Sequence, residues 1–78
     1  MTSDERQLVT AMLAGDERAF REFFEIYFPR VYRFALPRLR RNEDTAKDVV
    51  QTTLIKAMRE LGDWRGDASM FTWLCQIW

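Results

Sequence analysis

Residues 42–62 read NEDTAKDVVQTTLIKAMRELG and carry the clearest helical pattern in the chain. Its apolar positions recur every three or four residues over about four turns, the spacing of one face of an α-helix. Asn42 is suited to cap the start of such a helix, and Gly62 is suited to end it. The stretch therefore predicts a helix that buries a stripe formed by Ala46, Val49, Val50, Thr53, Leu54, Ala57, Met58 and Leu61.

Three more segments, at about 4–14, 17–41 and 68–78, show the same helical spacing of apolar residues. Gly15, which adopts positive φ easily, and Asp16, a good N-cap, separate the first two segments. The alternating pattern of a half-buried strand does not persist. We therefore predict an all-α protein, a compact bundle of four helices.

The second helical segment is long and contains two prolines, Pro29 and Pro37. Each proline removes a helical N–H and clashes with the carbonyl four residues earlier in the chain. We therefore expect this helix to be kinked near Pro29 and kinked or broken near Pro37.

Composition limits the class of protein. With 47% hydrophobic residues, the chain of 78 residues can bury a small core and is not typical of a disordered tail. Twelve basic and twelve acidic residues give zero net charge, so overall charge does not indicate nucleic-acid binding. Positions 26–42 lack an acid, and a solvated helical face is the simplest interpretation of their arginines, Arg30, Arg33, Arg38, Arg40 and Arg41.

The residue types predict neither an enzyme nor a metal site. The chain has no histidine, a single cysteine (Cys75) and no Gly-rich phosphate-binding loop. Asp44 and Asp48 lie one helical turn apart, but acids near a helix N-terminus are expected for electrostatic reasons alone. We predict no catalytic residue and no cofactor. A polar start and the lack of a long uncharged apolar run predict a cytoplasmic protein outside the membrane.

The helix within residues 42–62 has a second face opposite its apolar stripe. This face carries Asp48, Gln51, Thr52, Ile55 and Arg59. Ile55 is apolar among polar neighbours. A single exposed isoleucine is common, and it is equally consistent with the centre of a contact to a partner helix. The pattern leaves both interpretations open.

The segment after this helix combines aromatic, basic and small polar residues. They are Trp64, Arg65, Asp67, Ser69, Thr72, Trp73 and Gln76. Such a set suits single-stranded nucleic acid, because bases stack on rings while polar groups bind base edges. The alternative is that the tryptophans are core anchors. We favour the core for Trp73 and leave Trp64 open.

Four motifs together resemble a known family. DVVQTTLIKA (48–57) and WRGDASMFTWL (64–74) resemble region 2 of extracytoplasmic-function (ECF) sigma factors, and GDERAF (15–20) and YFPRVYRFA (27–35) fit the same pattern. The resemblance extends from about residue 8 to residue 77. It implies the four-helix fold of sigma factor region 2 and a role in transcription initiation.

The resemblance also implies a partner for each surface. The exposed face of the third helix is expected to bind the clamp helices of the β′ subunit of core RNA polymerase through Asp48, Gln51 and Ile55, with Thr52 and Arg59 as neighbours. The following loop and helix are expected to capture a flipped base of the −10 promoter element on the non-template strand. The residues implied for this DNA contact are Trp64, Arg65, Gly66, Asp67, Ala68, Ser69, Thr72, Trp73 and Gln76.

The sequence departs from the family pattern at Thr52, where Glu is common, at Gln76, where Arg is common, and at Trp78, where a small residue is usual. We expect residues 1–78 to form one region 2 domain, truncated in its last helix and lacking the region 4 domain that reads the −35 element. An anti-sigma factor is an expected partner. The alternative is a helical interaction module, or a sigma-like adaptor, that does not bind DNA.

Overall fold

The computed structural model describes the backbone of residues 2–78 and the side chains of residues 5–78. Within this part of the chain, the regular elements are helical and strands are absent. The predicted all-α fold is confirmed. In chain order the elements are α1 (Thr2–Leu13), α2 (Glu17–Arg38), α3 (Glu43–Arg59), a 3₁₀ turn (Leu61–Asp63) and α4 (Met70–Ile77).

Local sequence signals account for the junction between α1 and α2. Gly15 has φ +87°, and its N–H donates to the carbonyl of Met12 while that of Asp16 donates to Ala11, both at 3.0 Å. This pair of hydrogen bonds is a Schellman motif. The side chain of Asp16 then caps α2 by accepting the N–H of Arg18 at 2.9 Å. Both predictions for this junction are confirmed.

The start of α3 also follows from its sequence. The Asn42 side chain accepts the N–H of Thr45 at 3.1 Å, which confirms Asn42 as the N-cap. The helix ends at Arg59, before the predicted Gly62, and the chain continues into the 3₁₀ turn. α4 begins at Met70, two residues after the predicted Ala68, because the Ser69 hydroxyl accepts the N–H of Thr72 and caps the helix at that point.

α2 continues through Pro29 and ends at Arg38, one residue after Pro37. It is shorter than predicted, because Arg40 and Arg41 adopt left-handed conformations with φ of 56° and 59°. The kink predicted near Pro29 and the kink or break predicted near Pro37 stay predictions. α2 and α3 form the main helix pair, and α4 packs against both.

The core lies where the four helices meet. Its fully buried side chains come from α2, α3, α4 and the 3₁₀ turn, and the largest of them are Phe23, Val31, Val50, Leu54, Leu61, Met70 and Leu74. Val9 and Met12 of α1 are also buried. Because α1 and α4 pack against α2 and α3, the loops that connect α1 to α2 and α3 to α4 are held in fixed positions. Among the described helices, none is long and apolar enough to cross a membrane.

Candidate functional site

One candidate surface is the outward side of α3. Its members are all exposed, and we call them the α3 face: Asp48, Gln51, Thr52, Ile55 and Arg59. Each of them lies three or four residues from another member, so they share one side of the helix. They extend over about 16 Å of the helix at 1.5 Å per residue.

Ile55 lies at the middle of the α3 face and is 39% exposed. The opposite side of the helix is held inside by Val50, Leu54 and Ala57, all fully buried. Because the buried stripe fixes the rotation of α3, the α3 face cannot turn inward without unpacking the core. The structure brings all of the residues implied for polymerase binding together on one accessible surface.

A shallow groove borders the α3 face on the side of α4. Asp48 and Thr52 line it together with Val49, Thr53 and Lys56 of α3, and Ile77 and Trp78 close it at the end of α4. The Thr53 hydroxyl donates to the carbonyl of Val49 at 2.8 Å, so this buried hydroxyl is satisfied within α3. The groove makes the accessible surface wider than the α3 face alone.

The second candidate surface surrounds the loop between the 3₁₀ turn and α4. Arg65, Asp67, Ser69, Thr72 and Gln76 are exposed, and Gly66, Ala68 and Trp73 are partly buried. We call these eight residues the loop surface. Ser69, Thr72, Trp73 and Gln76 follow the spacing of one side of a helix, so the loop and α4 present one continuous surface.

Trp64, which the resemblance assigns to the DNA contact, is buried. Its side chain is only 9% exposed and packs in the core. Its indole Nε1–H donates to the carbonyl of Ala68 at 3.0 Å. Stacking on a base needs a free ring face, so in this structure Trp64 has a structural role in closing the loop, and its expected DNA contact stays a prediction.

Trp73 is partly buried and packs against the core cluster. The preference for a core role is therefore correct for part of the side chain, and the remainder lies on the loop surface. Beside it, the hydroxyl of Ser69 donates to that of Thr72 at 2.9 Å while accepting the Thr72 N–H. These bonds fix the first turn of α4.

Sequence reasoning missed two residues that contact the loop from α1. Glu5 Oε1 accepts the N–H of Met70 at 3.1 Å. The guanidinium of Arg6 lies against Gly66, where an added Cβ would be 2.5 Å from Nη2. No local pattern marks these residues, because both contacts depend on how α1 packs.

The arginines of the second half of α2 and its C-terminal turn do not form an obvious binding site. Arg38 is occupied: its guanidinium lies 3.7 Å from the centre of the Phe34 ring and donates to the Phe34 carbonyl at 2.7 Å. Arg30 lies 5.6 Å from the centre of the Tyr27 ring. These contacts use two of the five arginines within the chain's own helix, and the solvated face stays the simplest interpretation of the stretch.

Comparison with known proteins identifies the family. A family described as sigma-70 region 2 matches residues 23–78. The chain belongs to the sigma-70 region 2 family. This result confirms the resemblance to region 2 of ECF sigma factors and does not favour the alternative of a helical adaptor.

Three relatives of this region 2 domain illustrate the relationship. The chain is 36% identical over 73 residues to the RNA polymerase sigma-H factor of Pseudomonas aeruginosa. The aligned residues are 94% of the chain and 37% of the relative. It is 35% identical over 71 residues to the ECF RNA polymerase sigma factor SigM of Mycobacterium tuberculosis, covering 91% and 36%. It is 33% identical over 73 residues to the ECF RNA polymerase sigma-E factor of Haemophilus influenzae, covering 94% and 38%.

The chain thus spans little more than a third of the length of these relatives. No solved structure gave a significant match.

Proposed function

We propose that the chain is the part of an alternative sigma factor that binds core RNA polymerase and captures the opened −10 element of a promoter. The observation that carries this proposal is the accessible α3 face with Ile55 at its centre, in a chain that belongs to the sigma-70 region 2 family. The polymerase is expected to use its β′ clamp helices as the partner.

The chemistry of the α3 face suits a helical partner. A helix-against-helix interface commonly has an apolar centre and a polar rim. Ile55 supplies the centre, and Asp48, Gln51, Thr52 and Arg59 supply hydrogen-bonding or charged groups around it. Burying Ile55 provides affinity, whereas the surrounding groups select the register of the partner.

The loop surface suits an unpaired DNA strand. The accessible part of Trp73 offers an aromatic surface to a base, and stacking on such a surface stabilises binding by roughly 1–3 kcal/mol per base. The exposed side chains of Arg65 and Asp67 offer a donor set and an acceptor set for base edges or phosphates. Ser69, Thr72 and Gln76 extend this set along α4.

Promoter opening then follows from differential binding. The loop surface binds the non-template strand only when its bases are unstacked, so binding shifts the equilibrium from duplex to open DNA. In this proposal the domain forms and breaks no covalent bond, and the polymerase carries out nucleotide addition. An anti-sigma factor that covers the α3 face or the loop surface would keep the protein inactive.

A selection experiment tests the proposed function directly. The chain, bound to bacterial core RNA polymerase, is used to select single-stranded DNA from a randomised pool, and core polymerase alone provides the control. We expect the chain to add a short preferred motif to the selected strands. A duplex promoter carrying that motif should then support run-off transcription with a sigma factor that contains this chain. Selection of the same strands with and without the chain contradicts DNA recognition by this domain.

A further inference from the structure

Glu5 connects two parts of the protein that are distant in the sequence. It lies in α1, and its Oε1 accepts the backbone N–H of Met70, the first residue of α4, at 3.1 Å. The first N–H groups of a helix have no acceptor within the helix. Glu5 satisfies that of Met70 while the Ser69 hydroxyl satisfies that of Thr72. The start of α4 is therefore held by one local residue and one residue from α1.

Tyr27 contacts the same carboxylate oxygen of Glu5. Its hydroxyl lies 3.5 Å from the same Oε1 atom, which is long for a hydrogen bond and makes this a weak one. The Tyr27 ring is buried against Phe23, with 5.3 Å between ring centres. Because the ring is fixed, its hydroxyl helps to keep the Glu5 carboxylate directed towards Met70.

Arg6 contacts the same loop at Gly66, near its middle. Gly66 has φ +82° and, as a glycine, has no Cβ atom to fill the space beside its Cα. The guanidinium of Arg6 occupies this space, and an added Cβ would lie 2.9 Å from its Cζ atom. Consecutive residues of α1 thus contact the loop surface at Gly66 and at the beginning of α4.

We propose that Glu5 and Arg6 form a clasp that holds the loop surface in the conformation that captures single-stranded DNA. Glu5 is a positioning residue, since it acts through Met70 and the first turn of α4. The clasp rests on the proposed function of the loop surface but involves no member of the α3 face. Breaking it therefore affects DNA capture and leaves polymerase binding unchanged.

The clasp is tested with Glu5→Ala and Glu5→Gln, and Gln7→Ala serves as a control at an exposed position of α1. For each variant, affinity for core polymerase is measured first. The affinity of the resulting complex for the selected single-stranded DNA is measured next. Hydrogen exchange at the indole N–H of Trp64, followed by NMR in the DNA-free chain, reports the conformation of the loop, because this group bonds to Ala68.

We expect Glu5→Ala to weaken DNA binding about tenfold, to speed exchange at the Trp64 indole, and to change polymerase affinity less than about twofold. Glu5→Gln retains an oxygen acceptor and should rescue most of both effects. Gln7→Ala should match the parent protein. An equal loss of polymerase and DNA binding in Glu5→Ala would show that Glu5 supports the whole domain rather than the loop. If both Glu5 variants match the parent protein in DNA binding and in indole exchange, the clasp does not exist.

Arg6→Ala is the second variant, at an exposed side chain outside the core. It also removes a positive charge near the bound strand, so its effect on DNA affinity alone does not separate positioning from direct contact. Faster exchange of the Trp64 indole in the DNA-free chain supports positioning, and unchanged exchange excludes it. If the parent complex selects no DNA, the proposed function fails, whereas the indole exchange of the Glu5 and Arg6 variants still decides whether the clasp exists.

Discussion

The indole Nε1–H of Trp64 donates a hydrogen bond to the carbonyl oxygen of Ala68, 3.0 Å away and four residues later in the chain. The Trp64 ring packs in the core at the same time. One side chain thus joins the loop to the protein interior and to the loop's own far end. This arrangement limits the conformations of the residues in between, Arg65, Gly66 and Asp67.

Replacing Trp64 with Phe removes the indole N–H while retaining an aromatic ring. We expect Trp64→Phe to lower the free energy of unfolding by about 1–3 kcal/mol, because the Ala68 carbonyl loses its partner and the smaller ring leaves a space. DNA binding by the polymerase-bound chain should weaken as the loop loosens. Denaturant unfolding and DNA titration provide the two measurements.

Trp73→Phe is the matched control for this change. Trp73 is partly buried and lies on the loop surface, so its replacement should affect DNA binding with a smaller loss of stability than Trp64→Phe. If Trp64→Phe lowers stability but binds DNA as the parent does, the loop does not depend on the hydrogen bond to Ala68.

The α3 face gives a prediction about polymerase binding. Asp48→Arg and Ile55→Arg should each weaken binding to core polymerase by about tenfold or more, since one reverses a charge and the other removes the apolar centre. Both positions are exposed, so the free energy of unfolding should change by about 0.5 kcal/mol or less. Glu25→Arg, at an exposed position on α2, is the charge-reversal control. Fluorescence anisotropy of the labelled chain measures binding to core polymerase. If all three variants bind with the same affinity, the α3 face is not the surface that binds polymerase.

The elements that sequence predicts well are those governed by near neighbours. The N-caps Asp16 and Asn42 and the positive φ of Gly15 depend on residues within a few positions, so each could be identified without tertiary information. The α3 face follows for the same reason: the helical repeat that buries Val50 and Leu54 also exposes Ile55.

The features that sequence could not predict depend on contacts between distant residues. The burial of Trp64 depends on how the 3₁₀ turn meets the core, and a tryptophan pattern is compatible with either location. Glu5 contacts Met70 across 65 positions of sequence. The left-handed conformation of Arg40 and Arg41 could not be predicted either, because arginine has no preference for that conformation.

The conformation of Arg40 leads to a stability prediction. Its φ of 56° is favourable for glycine and strained for a residue with a Cβ atom. Arg40→Gly should therefore raise the free energy of unfolding by about 1 kcal/mol. Arg38→Gly, at the last residue of α2, should lower it by about 0.5–1 kcal/mol, because the variant loses the cation–π contact and the hydrogen bond to Phe34. Denaturant unfolding should thus give effects of opposite sign, and a loss of stability in both variants would contradict strain at Arg40.

Tyr27 predicts how stability changes at high pH. Burial, and then the negative charge of Glu5, raise the pKa of Tyr27 from 10.0 to about 12. The folded state therefore retains the proton more strongly than the unfolded state, and this stabilisation is complete below pH 10 and lost as pH rises towards 12. The loss between these values should be about 1–2 kcal/mol, less than the whole pKa difference would give, because solvent screens part of the interaction. In urea unfolding, Tyr27→Phe should remove this loss of unfolding free energy at high pH. If the variant loses as much stability as the unmutated protein over the same pH range, other groups cause the loss.

Gly66 and Gly15 allow backbone strain to be separated from the contact with Arg6. Both glycines have positive φ, +82° and +87°, so alanine at either position should lower the free energy of unfolding by about 1–2 kcal/mol. A Cβ at Gly15 meets nothing within 4 Å, whereas one at Gly66 lies 2.5 Å from Nη2 of Arg6 and must displace that side chain. We therefore expect similar stability losses in denaturant unfolding, with weaker single-stranded DNA binding only in Gly66→Ala. Equal DNA affinities in the two variants would mean that the loop surface tolerates displacement of Arg6.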